Sequence, residues 1–211
     1  MHPDGHSAVT TRVYTRKVNR RLITGCAIAL TMVACGSASA PVATPTTRIL
    51  VGNGFSALYP VSWSLKTITL KGATEYQLSS RGSLTTAGVP IPGAIGITIQ
   101  AVPYAAAVAA GLPNPATMTP TQLVDRVIGT PTGATDVKVV NPPHVDLWLN
   151  DTAYGLSLTY ATAGTPNLQE DLIDRHTQAI YLIELDTEPT LQTPGEAALK
   201  TVTHSWGWAT P

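Results

Sequence analysis

Histidine and aspartate residues form the first group in this sequence that could carry chemistry. His144 and Asp146 are two residues apart, so on a strand their side chains would share one face and could supply two ligands to a metal ion. No third ligand is evident in the sequence, and prolines precede the pair. We therefore expect a polar strand edge here and assign no metal site.

A second polar group consists of Asp171, Asp174 and His176. An all-oxygen calcium loop needs more carboxylates at regular spacing and a glycine turn, and this segment has neither. The pattern predicts solvated charges ahead of a strand. His204 lies near the end of the last predicted helix, where a histidine can face the helix dipole favourably.

The serine residues do not stand in a pattern typical of a nucleophile. A serine hydrolase needs a serine, a histidine and an acid close together in space. Ser62 lies between Val61 and Trp63, Ser205 lies in a helical pattern, and neither is in a Gly-x-Ser-x-Gly motif. The glycine-containing segment 51–54 is followed by a strand, so it predicts a turn rather than a phosphate loop. No catalytic, cofactor-binding or metal-binding residue is predicted, and we expect a protein that is not an enzyme.

Cys35 has the clearest chemistry of any residue in the chain. It follows a 13-residue apolar run, Leu22 to Ala34, which is preceded by a basic segment. A membrane-spanning helix needs about 20 apolar residues, so the shorter run is typical of a secretory signal peptide. The residues Met32-Val33-Ala34-Cys35 resemble the lipobox of bacterial lipoprotein precursors. This resemblance implies that the Cys35 thiol receives a diacylglyceryl group and, with further acylation such as palmitate, anchors the mature protein stably.

Other interpretations of the leader remain open. The segment around Cys26 also matches a lipobox, but almost no apolar chain precedes it. The segment 38–40 is an A-x-A site for the ordinary signal peptidase, although Pro41 disfavours cleavage there. Arg20-Arg21 could indicate twin-arginine export, but the following residues match poorly. A buried core helix is the structural alternative to a signal peptide.

These observations divide the 211 residues into a signal peptide (1–34), a lipidated N-terminus with a flexible tether (35–47) and one domain (48–211). Five of the 13 basic residues precede the apolar run, opposed only by Asp4, which leaves 8 basic and 12 acidic residues from Cys35 onward. A domain with this net charge of −4 and no basic cluster is a poor candidate for binding nucleic acid. Without Cys35 and Cys26 it has no thiol for a disulfide or a catalyst.

The domain is rich in strand patterns. Alternation of apolar residues predicts strands over 48–51, 55–59, 73–80, 94–102, 137–140, 145–149, 153–162 and 179–185. The Ala- and Pro-rich segment Tyr104 to Met118 is predicted to be an insertion with one helical turn. Capping-box patterns at Thr119 and Thr193 predict two helices, with Gly207 ending the second. Trp208 lies beyond this stop and could mark an exposed contact surface.

Both ends of the domain resemble PsbP-like proteins. Phe55, Tyr59, Pro60 and Trp63 resemble the opening of this family, which includes the photosystem II protein PsbP, a Ran-binding import factor and bacterial lipoproteins. Ser205-Trp206 takes the place of the Ser-Phe with which such domains close, and the insertion at 104–118 departs from the simplest pattern. The resemblance implies an α+β fold, an antiparallel sheet with packed helices, that binds partner proteins.

The sequence therefore predicts a monomeric lipoprotein on the extracytoplasmic face of the cell membrane. Its expected function is that of a non-enzymatic binding or assembly module for an unknown protein partner. The alternative is a carrier that holds a lipid or another small apolar molecule in a pocket between sheet and helices. An apolar pocket of several hundred Å³ would favour this carrier. A hydrolase is the weaker alternative, and it requires a histidine, an acid and a nucleophile clustered in a cleft.

Overall fold

The computed structural model describes residues 46–82, 91–129, 133–148 and 151–209. The chain divides into two units, Met1–Val42 and Ala43–Pro211, and every described residue belongs to the second. Cys35 and the alternative cleavage sites lie outside the described residues. Among the described helices, none combines the length and the apolar character of a membrane span.

The described chain forms an α+β fold, as the sequence predicts. A seven-stranded antiparallel sheet has the order β3-β4-β5-β9-β8-β7-β6, and a small sheet has the order β1-β2-β10. The strands are β1 (Thr47–Gly52), β2 (Phe55–Pro60), β3 (Ser64–Leu70), β4 (Ala73–Ser79), β5 (Ile95–Pro103), β6 (Ala134–Trp148), β7 (Asp151–Thr162), β8 (Thr165–His176), β9 (Ala179–Thr187) and β10 (Gly207–Trp208). The helices are α1 (Tyr104–Ala109), α2 (Pro120–Val127) and α3 (Gln192–His204).

The large sheet has two unlike faces, because successive side chains of a strand point to opposite sides. On one, which we call the aromatic face, Ile97 and Ile99 of β5 lie beside Ile183 of β9, and all are buried. The other face, which we call the mixed face, carries the alternate residues Leu182 and Glu184 of β9. The aromatic face is apolar over its centre, whereas the mixed face is apolar at one end and polar at the other.

Helix α3 and the small sheet cover the aromatic face. The ring of Phe55 in β2 stacks on Trp206 at 4.0 Å between centroids and meets Tyr76 edge-on at 5.4 Å. Gly52 is needed because a Cβ there would overlap the ring of Phe55. Trp208 is only half exposed: its ring stacks on His176 at 4.0 Å, so it extends this aromatic cluster.

The first helix signal is confirmed in detail. The hydroxyl of Thr119 accepts from the Gln122 amide at 3.2 Å, and the Gln122 side chain accepts from the Thr119 amide at 2.8 Å. Pro120 is the first helical residue, and Leu123 and Val124 are buried. The insertion contains helix α1, which matches the predicted helical turn.

The predicted signals of the last helix were partly wrong. Helix α3 begins at Gln192, directly after a 3₁₀ turn, and its N-cap is Leu191 without a side-chain cap hydrogen bond. Thr193 therefore lies inside the helix and caps nothing. The helix ends at His204, and Gly207 belongs to β10, where it pairs with Ser56.

Three strand predictions also needed correction. Strand β3 was not predicted, and neither was β8, whose polar residues Asp171 to His176 are part of the sheet rather than a segment ahead of a strand. The prolines at 142–143 do not break the chain into two strands. They lie within β6, whose pairing with β7 shifts register around Asn141.

Candidate functional site

The mixed face carries a cavity of about 360 Å³. It lies where the apolar end of this face meets α1, α2 and the segment between them. Its lining is Gln100, Val102, Ala107, Ala110, Gly111, Leu112, Pro113, Arg126, Val127, Ile180 and Leu182. The lining is thus predominantly aliphatic, and this is the pocket between sheet and helices that a carrier requires.

The elements around the cavity are held in place by their own hydrogen bonds. Arg175 of β8 donates from Nη1 to the carbonyls of Pro115 and Met118, at 2.8 and 3.0 Å. These contacts fasten the segment between α1 and α2 to the sheet. The Leu112 amide donates to the Ala107 carbonyl at 3.0 Å, which folds the chain back after α1. The cavity is therefore a formed feature of the fold.

Two polar side chains interrupt the apolar lining. Arg126, an exposed residue in the last turn of α2, is the one charged side chain among the described residues that line the cavity. Gln100 is the other, and its Nε2 donates to Glu75 Oε2 at 3.3 Å. Through Gln100 the cavity borders the polar part of the mixed face.

That polar part is a buried layer of carboxyl and amide groups. The Tyr160 hydroxyl donates to Asp186 Oδ1 at 2.7 Å, and Gln169 Nε2 donates to Asp171 Oδ2 at 2.7 Å. Asp171 is completely buried, and Gln169 and Asp186 nearly so. Among the described residues, Asp171 Oδ1 and Gln169 Oε1 have no hydrogen-bond partner. Both are acceptors when the acid is ionised, and a protonated Asp171 carries a hydroxyl donor that the ionised form lacks.

Burial sets the protonation of this layer. It raises the pKa of Asp171 well above its ordinary value, and nearby Asp186 and Glu170 raise it further, against the lowering effect of the Gln169 hydrogen bond. Burial likewise raises the pKa of Glu184 and that of Asp186, which lie side by side. The prediction of solvated charges was therefore wrong for Asp171 and also for Asp174, which is buried.

The predicted pair His144 and Asp146 lies on the aromatic face, beside α3. Asp146 contributes to a cleft of about 200 Å³ together with Glu170, Glu196 and His204. Burial raises the pKa of Glu170, and the neighbouring Glu196 and Asp146 raise it further. The His144 ring packs on Gly155, where a Cβ would be 2.9 Å from the ring. Within the described part of the chain, no three such side chains are arranged to hold a metal ion.

The two serines considered as nucleophiles occupy different places. Ser62 is exposed in the turn after β2. The Ser205 hydroxyl donates to the Thr201 carbonyl at 2.6 Å and accepts from the Leu58 amide at 2.7 Å. Ser205 thus joins the end of α3 to β2, which is a structural role.

The cavity residues were not predicted as a site. They come from three separated stretches of the sequence, and aliphatic residues without spacing constraints give no motif. One signal was present: the run Ala179 to Ile183 is apolar at consecutive positions, which indicates a strand buried on both faces. Such a strand requires a cover on its second face, and α1 and α2 provide it at one end.

Neither a protein-family model nor a curated protein matches this chain. Solved structures that match include the cyanobacterial PsbP of Synechocystis, with 12% identity and a TM-score of 0.48, over 82% of this chain and 98% of that one. The Ran-binding protein Mog1p of Saccharomyces cerevisiae matches with 9% identity and a TM-score of 0.43, over 77% and 95% of the two chains.

A protein of Bacteroides thetaiotaomicron matches with 9% identity and a TM-score of 0.41, over 79% of this chain. This chain spans half the length of that protein. All three likenesses concern the arrangement of strands and helices alone. The function is therefore inferred from the chain's own residues.

Proposed function

We propose that this domain is a non-enzymatic binding module that holds a small apolar ligand in the cavity of the mixed face. The observation that supports the proposal most is the combination of volume and lining. Ligand sites typically enclose about 300–1,000 Å³ and are mostly apolar with a few polar groups. A volume of about 360 Å³ with two polar side chains fits this description.

Filling the cavity tests this proposal. Ala110 is exposed and lines the cavity, so Ala110→Trp places an indole in the ligand space without disturbing a buried contact. Ala105→Trp is the matched control, because Ala105 is also exposed on the same helical segment but does not line the cavity. Binding of the neutral dye Nile red is measured by fluorescence titration.

We expect saturable binding by the wild type and by Ala105→Trp, and at least tenfold weaker binding by Ala110→Trp. If the wild type shows no saturable binding, or if both variants bind equally well, the cavity is not a ligand site.

We further propose that the module is a lipoprotein on the extracytoplasmic face of the cell membrane, anchored through Cys35. The support is the basic segment, the short apolar run and the lipobox-like residues that end in Cys35. Two or more acyl chains suffice for stable anchoring, since each buried CH₂ contributes about 0.8 kcal/mol.

Paired cysteine variants test the anchor. Cys35→Ala is expected to release the protein from membranes that have been washed with high salt, whereas Cys26→Ala should leave it attached. Intact-mass analysis of the wild type should show a lipid-modified chain that begins at Cys35. Sedimentation of the Cys35→Ala variant with washed membranes would contradict the assignment.

A protein partner is the second candidate, and the edge strand β6 favours it. This strand ends the large sheet and exposes Val137, Val139, Val140 and Val145, at fractions from 40% to 62%. An exposed strand edge with apolar side chains is suited to pairing with an extended segment of another protein. The pairing of β6 with β7 shifts register between Thr135 and Lys138 and again on both sides of Asn141.

The two edges of the sheet provide a matched test. Val139→Lys changes the β6 edge, and Leu70→Lys changes an exposed aliphatic residue of β3 at the opposite edge. Each variant serves as the bait for affinity capture from solubilised membranes, and mass spectrometry identifies the captured proteins. A partner that is lost with Val139→Lys and retained with Leu70→Lys would support docking on β6. Equal capture by both variants would exclude it.

A further inference from the structure

We propose that the cavity of the mixed face takes a single-chain amphiphile with an anionic head group. Its aliphatic chain would lie among the apolar lining residues, and its head group would contact Arg126. The inference rests on the proposed function, namely that this cavity binds a ligand at all.

The charge of the lining points to an anion. Arg126 is the one charged residue among the described residues around the cavity, and no described carboxylate shares the lining. Asp125 is adjacent in sequence, but it is exposed and does not line the cavity. Because the predicted mature chain carries a net charge of −4, a local cation is needed to attract an anionic head group.

The chemistry of Arg126 fits a carboxylate or a phosphate. A guanidinium group presents several donors in a planar fork that matches two oxygens of either anion. The aliphatic stem of an arginine can lie along apolar surface while the charged head stays in water. Arg126 is exposed and stands next to Val127, which is half-buried and also lines the cavity.

A purely local explanation of Arg126 also exists. A cation in the last turn of a helix is favoured by the partial negative charge at that end, and Arg126 is the basic residue in the last turn of α2. This explanation predicts no preference among ligands. The local explanation does not account for the position of Arg126 in the lining of an aliphatic cavity.

The volume limits the ligand to one chain. Taking about 30 Å³ for a group the size of a water molecule, the cavity holds about a dozen such groups. That corresponds to one acyl chain of about ten carbons and is too little for a lipid with two long chains. A fatty acid and a single-chain phosphate ester share the required chemistry.

The test compares decanoate with decanol at pH 8, each titrated below its aggregation limit by competition with Nile red. The proteins are the wild type, Arg126→Gln, Arg126→Lys and the control Arg48→Gln, which removes an exposed charge on β1. Decyl phosphate is titrated in parallel to distinguish the two head groups. Acetate, which has the head group without the chain, reports binding of the anion alone.

We expect the wild type to bind decanoate or decyl phosphate about tenfold more tightly than decanol. Arg126→Gln should bring the ratio of decanoate affinity to decanol affinity close to one, and Arg126→Lys should retain part of the preference. Arg48→Gln should match the wild type. Equal affinity for decanoate, decyl phosphate and decanol in the wild type would overturn this inference and leave the proposed function intact. Failure of all three to displace bound Nile red would also overturn this inference, whereas failure of Nile red itself to bind would overturn the proposed function as well.

Discussion

The two faces of the seven-stranded sheet differ in how they are covered. On the aromatic face, Phe55 stacks on Trp206, and α3 and the small sheet close over the apolar centre. On the mixed face, α1 and α2 form a smaller apolar cluster with Ile173, Ile180 and Leu182, beside a cavity and a layer of buried acids. The aromatic face is closely packed, which favours stability. The mixed face instead has a cavity of ligand size and carboxyl groups that are costly to bury.

This difference indicates where function can reside. Cavities and buried acids reduce stability, so they persist only if the rest of the fold compensates. The aromatic face provides that compensation through close packing of large rings. The division predicts that substitutions on the aromatic face change mainly stability and that substitutions around the cavity change mainly binding.

The largest effect is expected from Phe55→Ala. Removing a fully buried phenylalanine from a core typically costs about 3–5 kcal/mol, and here it also removes the stacking partner of Trp206. The control is Leu58→Ala on the outer side of the same strand, which should cost about 1 kcal/mol or less. Urea unfolding followed by circular dichroism measures both. Equal losses for the two variants would mean that the aromatic face is not the main source of stability.

The next effect is a dependence of stability on pH from the mixed face. The pKa of Asp171 is raised in the folded state. Its contribution to stability is therefore fully present below the ordinary pKa of about 4, and it is lost as pH rises from there through the raised pKa. The free energy of unfolding should fall by about 1.4 kcal/mol per pH unit for each proton that only the folded state retains.

Asp171→Asn sharpens this prediction, because an amide supplies a donor without a charge. Urea unfolding at pH 5 and pH 8 should show a smaller loss of stability for Asp171→Asn than for the wild type. Asp125→Asn, on the exposed side of α2, should leave the pH dependence unchanged. Identical profiles for the wild type and Asp171→Asn would show that Asp171 does not hold a proton in the folded state.

The smallest effect concerns the two predicted helix caps. Thr119→Ala removes the hydroxyl that accepts from the Gln122 amide at the start of α2, and it should cost about 1 kcal/mol. Thr193→Ala should cost less than about 0.5 kcal/mol, because Thr193 lies inside α3 and makes no cap hydrogen bond. Hydrogen exchange should become faster in α2 and stay unchanged in α3. A larger loss for Thr193→Ala would contradict the assigned start of α3.

The parts of the fold that could be predicted from sequence are those with a strong local signal. Alternation identified β2, β5 and β7, and the capping box at Thr119 identified α2. The same pattern at Thr193 predicted the wrong start for α3, because a 3₁₀ turn over Pro189–Leu191 leads directly into the helix before Thr193. Strand β8 was missed because it buries Gln169, Asp171 and Asp174, and polar residues in a sheet interior resemble a loop.

The cavity could not be located in the same way. It depends on how far α1 and α2 stand from β5 and β9, which is a property of packing rather than of any motif. What the sequence did provide was a criterion: an apolar pocket of several hundred Å³ between sheet and helices favours a carrier. The structure meets that criterion on the mixed face, at residues that no spacing rule selects.

The central claim is that a small apolar ligand binds in the cavity of the mixed face. Methyl NMR tests it most directly, because it follows both faces of the sheet in one sample. Decanoate is titrated into the protein while the methyl signals of Ile180 and Leu182 on the mixed face and of Ile97 and Leu185 on the aromatic face are followed. Binding in the cavity predicts saturable shifts at Ile180 and Leu182, with Ile97 and Leu185 unchanged. The absence of saturable shifts, or shifts confined to the aromatic face, would contradict the account.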